Sequence, residues 1–392
     1  MRARGRGGTI GIRRRTGKHC LTRIRFEFAK SGGCGYPDPR MSHITEIALE
    51  NYRSFRSARC RLSPFTLIVG ANNAGKSNLL HAVGNSLTGR ADRNDVRFLD
   101  ASRHHQCSDD FPVWMGVKWS DQRVTEHGVW GTQGFGEDVT KRSDEFLSRD
   151  SNSDRDSDFR SFDIPIEIYR LDPAIIGREE GGSGEPYIQP NGAGVSWMLD
   201  KWNAGSRAMR ARFERVITAL RRCVPEIEAV SFYDVDVGKR AIQVEQTGLP
   251  EPRPLSEVSD GTRLVLAILT LVNLESPPPV LLLEDIDRGL HPRLYEQLVD
   301  FLRSLAAEGR TQILATTHDP YLIDEFRDTP EAVVIVEKKD GASTLSNLDE
   351  RLKVILEPGE ELEMPLGQVW FTGLVGGVPR PKLPEILRVA EE

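Results

Sequence analysis

The chain has 392 residues, of which 39% are hydrophobic and 28% are charged, and its formal net charge is −6. This composition is typical of a soluble globular protein, and no apolar run reaches the ~18–20 residues that a membrane-spanning helix needs. The cysteines are odd in number and lack metal-ligand spacing, which favours a reducing compartment over a disulfide framework. They are Cys20, Cys34, Cys60, Cys107 and Cys223. We therefore expect a cytoplasmic protein with no direct membrane insertion.

The first forty residues differ from the rest in charge. They hold eleven Lys or Arg residues against only Glu27 and Asp38, although the whole chain is acidic. Such a segment could be a nucleic-acid-binding arm or a transit peptide. However, "MSHITEIALENYRSF" has the pattern of a domain that begins at Met41. We expect residues 1–40 to be a disordered N-terminal extension or an over-long start assignment, residues 41–340 to form the main domain, and residues 341–392 to be a C-terminal tail.

The first chemically informative stretch is "FTLIVGANNAGKSNLL". Phe65, Leu67 and Val69 alternate as in a strand, and a helical pattern follows. Between them lies Gly-x-x-x-x-Gly-Lys-Ser, the pattern of a phosphate-binding P-loop, in the strand-to-helix setting that it requires. Its residues are Gly70, Ala71, Asn72, Asn73, Ala74, Gly75, Lys76 and Ser77.

This loop has the chemistry to bind a nucleotide. Its backbone N–H groups and the start of the helix attract phosphate oxygens. Lys76 can reach the terminal phosphates, and the Ser77 hydroxyl can coordinate Mg²⁺. The loop therefore predicts ATP and Mg²⁺ as cofactors.

An insert of weaker pattern extends from about residue 88 to 255. Segments 112–119 and 161–171 are predicted strands, and Met198 to Val224 is a predicted helix with an arginine-rich outer face. The polar stretch between 141 and 161 is expected to be a loop. Its alternating Asp150, Asn152 and Asp154 lack the glycine and glutamate of an EF-hand calcium loop. "HHQC" at 104–107 has no second ligand pair for zinc.

The alternation of predicted helices and strands resumes after Ser256. A helix is predicted from Asp260 to about Leu274, a buried strand over Val280–Leu283, and a further helix from Pro292. "TQILATTHDP" and "AVVIVEK" are predicted strands. Strands that alternate with helices favour a largely parallel sheet.

Two acids follow the buried strand directly. A P-loop enzyme needs one carboxylate near the metal and a second to orient the attacking water, and Glu284 and Asp285 occupy the expected place. Their order is the reverse of the usual Asp then Glu, so Glu284 is predicted to face Mg²⁺ and Asp285 to act on water. His318 ends the next strand, where a sensor of the γ-phosphate would lie. The catalytic candidates are thus Lys76, Glu284, Asp285 and His318, and the metal candidates are Ser77 and Glu284.

A second helix start has features of an anion site. In "LSEVSDGTRLVLAILTL", Ser259 is a suitable N-cap, and Gly261 leaves the backbone accessible. Plain helix capping would account for Ser259 but not for Gly261.

Taken in order, "GANNAGKS", "VSDGT", "LLLED" with "GLHP", and "TTHDP" resemble the ABC-type ATPase heads of the RecF, OLD and SMC group. The strongest resemblance is to small prokaryotic AAA/OLD-like ATPases of the AAA family, over about residues 41–337. It implies an α/β P-loop NTPase fold: an ABC-ATPase-like head with a mostly parallel sheet, an N-terminal antiparallel part and a mixed α/β insert. It also implies ATP held between two copies of the chain, with Ser259 and Gly261 of one subunit completing the site of the other. Arg53 is a further candidate nucleotide contact.

The chain also departs from that group. No Q-loop glutamine is evident, and the insert has no long heptad arms. "VVIVEKKDG" faintly resembles the start of an OLD nuclease domain, but it is interpreted as the closing strand of the ATPase. "PLGQVWFTGLVGGVPRP" is expected to fold back on the domain, with partner docking as the alternative.

The sequence therefore predicts an ATP-gated homodimeric switch in DNA repair or anti-phage defence, acting with a separately encoded nuclease or other effector. Alternatives are the cytoplasmic ATPase subunit of a membrane transporter and a scaffold that hardly hydrolyses ATP. DNA is a candidate partner through an arginine patch in the insert. That patch consists of Arg207, Arg210, Arg212, Arg215, Arg221 and Arg222.

Overall fold

A computed structural model of the chain describes residues 42–88, 113–121, 124–129, 166–181, 186–357 and 362–378. The predictions for residues 1–40, for the 104–107 cluster and for the polar loop at 141–161 lie outside the described residues.

The described residues form strands and helices in alternation. The strands are β1 Ile44–Tyr52, β2 Phe55–Arg61, β3 Phe65–Val69, β4 Val113–Trp119, β5 Val124–Val129, β6 Ile168–Tyr169, β7 Ile227–Asp236, β8 Lys239–Gln246, β9 Arg253–Pro254, β10 Val280–Leu283, β11 Gln312–Thr317, β12 Val333–Lys339 and β13 Ala342–Asn347. The helices are α1 Lys76–Thr88, α2 Pro173–Ile176, α3 Val195–Ala204, α4 Arg207–Cys223, α5 Asp260–Val272, α6 Tyr295–Ala307, α7 Pro320–Asp324, α8 Leu348–Ile355 and α9 Leu366–Phe371.

One ten-stranded sheet organises the protein, in the order β5-β4-β1-β2-β13-β12-β3-β11-β10-β6. The run from β12 to β6 is parallel throughout, whereas β5, β4, β1 and β2 pair antiparallel. This arrangement confirms the predicted α/β class with an antiparallel N-terminal part. A second sheet, β7-β8-β9, lies in the insert.

Both faces of the large sheet are covered. On β11, Ile313 and Ala315 join one apolar cluster while Leu314 joins the other. Helices α5 and α6 contribute to the first cluster and α1 contributes to the second. Parallel strands need cover on both faces, and every residue of β3, β10 and β11 is accordingly buried.

The structure corrects three predicted elements. The single helix over Met198–Val224 is two helices, because Gly205 ends α3 and the Ser206 side chain caps α4. Only Ile168–Tyr169 of the segment predicted at 161–171 is a strand among the described residues. "VVIVEKK" forms a strand of the sheet, but it is not the closing strand, because β13 follows it in the chain and pairs with it.

The described residues after position 340, which are 341–357 and 362–378, are built into the fold. They supply β13 to the sheet, and α9 packs on α7. The close approach requires Gly367, where a Cβ atom would lie 1.9 Å from the Pro320 carbonyl oxygen. No helix among the described residues is long and apolar enough to cross a membrane.

Core packing in the parallel strands should dominate stability. Leu314 is fully buried, so Leu314→Ala should lower the free energy of unfolding by about 2–5 kcal/mol. Val354→Ala is the matched control, because Val354 is 84% exposed and its loss should change stability by less than about 0.5 kcal/mol. Urea unfolding, monitored by circular dichroism, measures the stability of both variants. Equal unfolding midpoints for the two variants would contradict this packing.

Candidate functional site

The P-loop connects β3 to α1 by a backbone path that only small residues allow. At Gly70 a Cβ atom would lie 2.3 Å from the Val336 carbonyl oxygen on the neighbouring strand β12. Gly75 has φ +119° and Asn73 has φ +61°, conformations that favour glycine and asparagine. The Ala74 N–H donates to the Ala71 carbonyl at 3.1 Å and closes the turn.

Lys76 lies folded over this loop. Its Nζ donates to the carbonyl oxygens of Gly70 at 2.7 Å and Ala71 at 3.2 Å. Burial lowers the pKa of Lys76, and the negative charges of Asp285, Asp287 and Glu284 oppose that shift. The ammonium group is thus hydrogen-bonded to two carbonyl groups of the loop, and phosphate oxygens could take the place of these carbonyls as its acceptors.

Ser77 and Glu284 meet directly. The Ser77 hydroxyl donates to the Glu284 carboxylate, and the Glu284 N–H donates to the Tyr169 carbonyl of β6 at 2.8 Å. A hydroxyl and a carboxylate oxygen are the hard ligands that Mg²⁺ takes. The residues present therefore fit a magnesium ion, with Ser77 and Glu284 as the groups that would hold it.

Asp285 and His318 lie together at the ends of β10 and β11. The His318 Nε2 atom is 3.4 Å from the Asp285 Oδ1 atom. Asp285 has φ +52°, and its N–H donates to the Thr316 hydroxyl at 2.8 Å. This bond aligns the two strand ends, so the two predicted catalytic side chains are brought to one place.

Asp287 is an acid that the sequence analysis did not single out. Its Oδ1 atom is buried and has no hydrogen-bond partner in the described structure. Burial raises the pKa of Asp287, while a hydrogen bond with Thr317 and the nearby His318 oppose that rise. The signal available in the sequence was a third acid in "EDID", two positions after Asp285.

The "VSDGT" helix start forms as predicted. Ser259 caps α5 by accepting from the Thr262 N–H at 3.3 Å, and Ser259 and Asp260 are exposed. Gly261 is buried, and a Cβ atom there would lie 3.0 Å from the Gly289 carbonyl oxygen. Close packing on the loop after the acid pair therefore explains this glycine without a ligand.

The P-loop and the "VSDGT" helix start are not joined by hydrogen bonds among the described residues. Within the described part of the chain, neither Ser259 nor Gly261 hydrogen-bonds to residues 70–77. The structure thus assembles Lys76, Ser77, Glu284, Asp285 and His318 in one site, and it leaves the α5 start outside that site.

Arg53 lies beside the first turn of α1. It occupies the β1–β2 turn with φ +50°, and its Nη1 donates to the Asn78 Oδ1 atom at 3.3 Å. Its guanidinium carbon is 5.6 Å from the centre of the Tyr52 ring. Arg53 is therefore close to the loop, but it is engaged with protein groups.

Two family models match the chain in separate segments. Residues 43–180 match the family described as "AAA ATPase domain", and residues 225–324 match the family described as "AAA domain, putative AbiEii toxin, Type IV TA system". The first segment contains the P-loop, and the second contains the "VSDGT" helix, the acid pair and His318.

Curated relatives match over a short stretch. Proteins from Streptomyces avermitilis and Streptomyces coelicolor, both described as "Putative ABC transporter ATP-binding protein", are 46% identical over 75 residues. That match covers 19% of this chain and 12% of each relative. The chain thus spans about an eighth of the length of these relatives.

Among solved structures, SMC heads are similar at low identity. An SMC head bound to the C-winged helix domain of ScpA has a TM-score of 0.45 and 17% identity, covering 79% of this chain and 99% of that chain. The Pyrococcus furiosus head with an extended coiled coil, bound to the C-terminal domain of ScpA, has a TM-score of 0.47 and 12% identity over 80% and 99%. The Thermotoga maritima head has a TM-score of 0.40 and 15% identity over 78% and 98%.

The position of Lys76 yields a direct test. Lys76→Ala should weaken ATP binding by about tenfold or more, because a charge-assisted hydrogen bond to phosphate contributes about 1.5–3 kcal/mol. Isothermal titration with ATP measures the effect. Lys338→Ala, at an exposed lysine on β12, is the control and should bind like the wild type. Unchanged affinity in Lys76→Ala would show that this lysine does not contact the nucleotide.

Proposed function

We propose that this chain is a P-loop ATPase of the ABC/AAA type, in keeping with its two matches to AAA family models, and that it acts as an ATP-gated dimeric switch. The observation that carries the proposal is the meeting of Ser77 with Glu284, and of Asp285 with His318, at one edge of the sheet. ATP is the ligand, Mg²⁺ is its counterion, and the protein acts in the cytoplasm.

The roles of the side chains follow from their geometry. The loop N–H groups and Lys76 bind the phosphates, and Ser77 and Glu284 hold the metal ion, which neutralises phosphate charge when bound. Asp285 takes the proton of the attacking water. Its contact with His318 places a polar N–H beside the carboxylate. Because aspartate is one methylene shorter than glutamate, hydrolysis is expected to be slow.

The second half of the site comes from another copy of the chain. Ser259 and Asp260 are exposed and make no hydrogen bond to the P-loop of their own subunit in the described residues. An exposed helix start attracts anions, so it completes the site across a two-fold interface. ATP then joins two subunits, and hydrolysis separates them.

The switch serves DNA repair or anti-phage defence, through a separately encoded nuclease or other effector. Nucleic acid would contact α4, which is about 25 Å long at 1.5 Å per residue. The helix contains six arginines and one glutamate. Five of the arginines are exposed and form no ion pair with another described residue: Arg207, Arg210, Arg215, Arg221 and Arg222.

A second candidate function is the ATPase subunit of a membrane transporter, which the 75-residue match to the Streptomyces proteins favours. Two sequence features oppose it: "VSDGT" replaces an LSGGQ-like signature, and the insert lacks an evident Q-loop glutamine. Recovery of the native chain with a membrane permease would favour this function over the first.

The dimer is testable by two substitutions. Asp285→Asn removes the proposed base but keeps its shape, so it should accumulate an ATP-bound dimer of twice the monomer mass. Ser259→Arg should retain ATP binding at the P-loop and prevent dimerisation through bulk and charge. Light scattering with and without ATP measures the mass.

The control for this experiment is Ser304→Arg, which adds the same side chain at an exposed serine of α6. It should dimerise like the wild type. A Ser259→Arg variant that dimerises and hydrolyses ATP normally would rule out the shared site.

The arginine face of α4 is tested separately. Arg215→Glu with Arg222→Glu should weaken binding to duplex DNA and reduce the salt dependence of the binding constant by a slope of about 2, since each phosphate contact contributes about 0.9. Fluorescence anisotropy across a salt series measures both. Lys338→Glu with Lys339→Glu makes the same charge change on β12 and should leave DNA binding unchanged. Equal losses of DNA affinity in the two double variants would mean that net charge alone, and not the α4 surface, determines binding.

A further inference from the structure

A series of hydrogen bonds leads from the β1–β2 turn to the P-loop. The Arg53 Nη1 donates to the Asn78 Oδ1 at 3.3 Å, and the Asn78 Nδ2 donates to the Ser54 Oγ at 2.8 Å. The hydroxyls of Ser54 and Ser343 are 2.8 Å apart, and the Ser343 Oγ donates to the Ala74 carbonyl at 2.5 Å. This series of hydrogen bonds therefore runs from the β1–β2 turn through α1 and β13 to one carbonyl group of the P-loop.

Ser343 is the donor at the end of this series of hydrogen bonds. A carbonyl oxygen can only accept, and a serine hydroxyl has one hydrogen to donate. The Ser343 hydroxyl faces two acceptors, the Ser54 Oγ at 2.8 Å and the Ala74 carbonyl at 2.5 Å, and Ser54 also accepts from Asn78. The contact with Ala74 is the shorter of the two, so the hydroxyl of Ser343 holds this carbonyl of the P-loop.

The Ala74 carbonyl shares a planar peptide with the Gly75 N–H. Carbonyl and N–H point in opposite directions across a trans peptide, and no cis peptide bond occurs in the described residues. A carbonyl held towards Ser343 therefore directs the Gly75 N–H away from β13. In the described part of the chain that N–H has no hydrogen-bond acceptor, so it is available to an anion.

Gly75 lies directly against the hydroxyls of Ser54 and Ser343. A Cβ atom at Gly75 would lie 2.7 Å from the Ser343 Oγ and 3.0 Å from the Ser54 Oγ. The hydroxyl pair thus packs directly against the glycine, and Ser343 is 1% exposed. The position of Ser343 is itself fixed, because its N–H donates to the Ser54 carbonyl at 2.7 Å.

We infer that Ser343 is a positioning residue for nucleotide binding: with Ser54 it orients the Ala74–Gly75 peptide so that the Gly75 N–H faces the phosphates. The inference rests on the proposed binding of ATP to the P-loop. It assigns to the β12–β13 hairpin a role in the site, although no residue of that hairpin belongs to a nucleotide-binding motif.

Ser343→Ala tests this role. It removes the hydrogen bond that holds the carbonyl, so the peptide can rotate, and the dissociation constant for ATP should rise about tenfold. Ser54→Ala leaves the Ser343–Ala74 bond in place but removes the Oγ atom that lies against Ser343 and Gly75. The Ser343 hydroxyl is then held less firmly, so the dissociation constant should rise by a smaller factor, about threefold. Isothermal titration with ATP measures both.

A matched control separates positioning from stability. Ser86 is also 1% exposed, and its hydroxyl donates to the Val83 carbonyl at 2.8 Å near the other end of α1. Ser86→Ala therefore removes the same kind of bond away from the loop, and it should leave ATP affinity unchanged. For each variant the unfolding midpoint is measured with and without ATP, because ligand stabilisation depends on affinity.

The outcomes are distinct. Weaker ATP binding in Ser343→Ala and, to a smaller extent, in Ser54→Ala, with Ser86→Ala like the wild type, supports the inference. Wild-type affinity in a folded Ser343→Ala variant overturns it, and if that variant does not fold, wild-type affinity in Ser54→Ala overturns it equally. Absence of ATP binding by the wild type would overturn the proposed function, and this inference with it.

Discussion

The parallel pairing of β3, β11 and β10 is the constraint on which the site depends. Parallel strands end at the same edge of a sheet, so the segments that follow them must meet there. Val69 pairs with Thr317, and Ala315 pairs with Leu283. This register places the P-loop, the acid pair and His318 side by side, although more than two hundred positions separate the P-loop from the other two.

Charge balance stabilises the assembled edge of the sheet. Three carboxylates, on Glu284, Asp285 and Asp287, lie near the buried Lys76 ammonium. Close carboxylates repel one another unless a cation, a proton or a hydrogen bond compensates. The Ser77 hydroxyl donates a hydrogen bond to Glu284, and burial raises the pKa of Asp287. Both effects reduce the repulsion between the carboxylates.

Close contacts join the motifs to neighbouring segments. Gly261 of α5 packs on Gly289, which lies in the loop that follows the acid pair. Ser343 of β13 reaches the P-loop from the other side. If two subunits share each ATP site, each subunit supplies its P-loop to one site and its α5 start to the other. The contacts at Gly261 and Ser343 then lie between these two parts of the same subunit.

The sequence by itself determined the P-loop, the parallel strands and the order of the acids, because each is a local pattern: hydrophobic alternation, glycine where φ is positive, and charge at a strand end. It also predicted most element types in the last third of the chain. It missed the break at Gly205, since a long apolar periodicity masked a capping serine. Only the tertiary structure decided that one buried oxygen of Asp287 lacks a hydrogen-bond partner among the described residues, that close packing explains Gly261, and that Ser343 hydrogen-bonds to Ala74. Those properties arise from contacts between distant segments, and such contacts leave no periodic signal in one sequence.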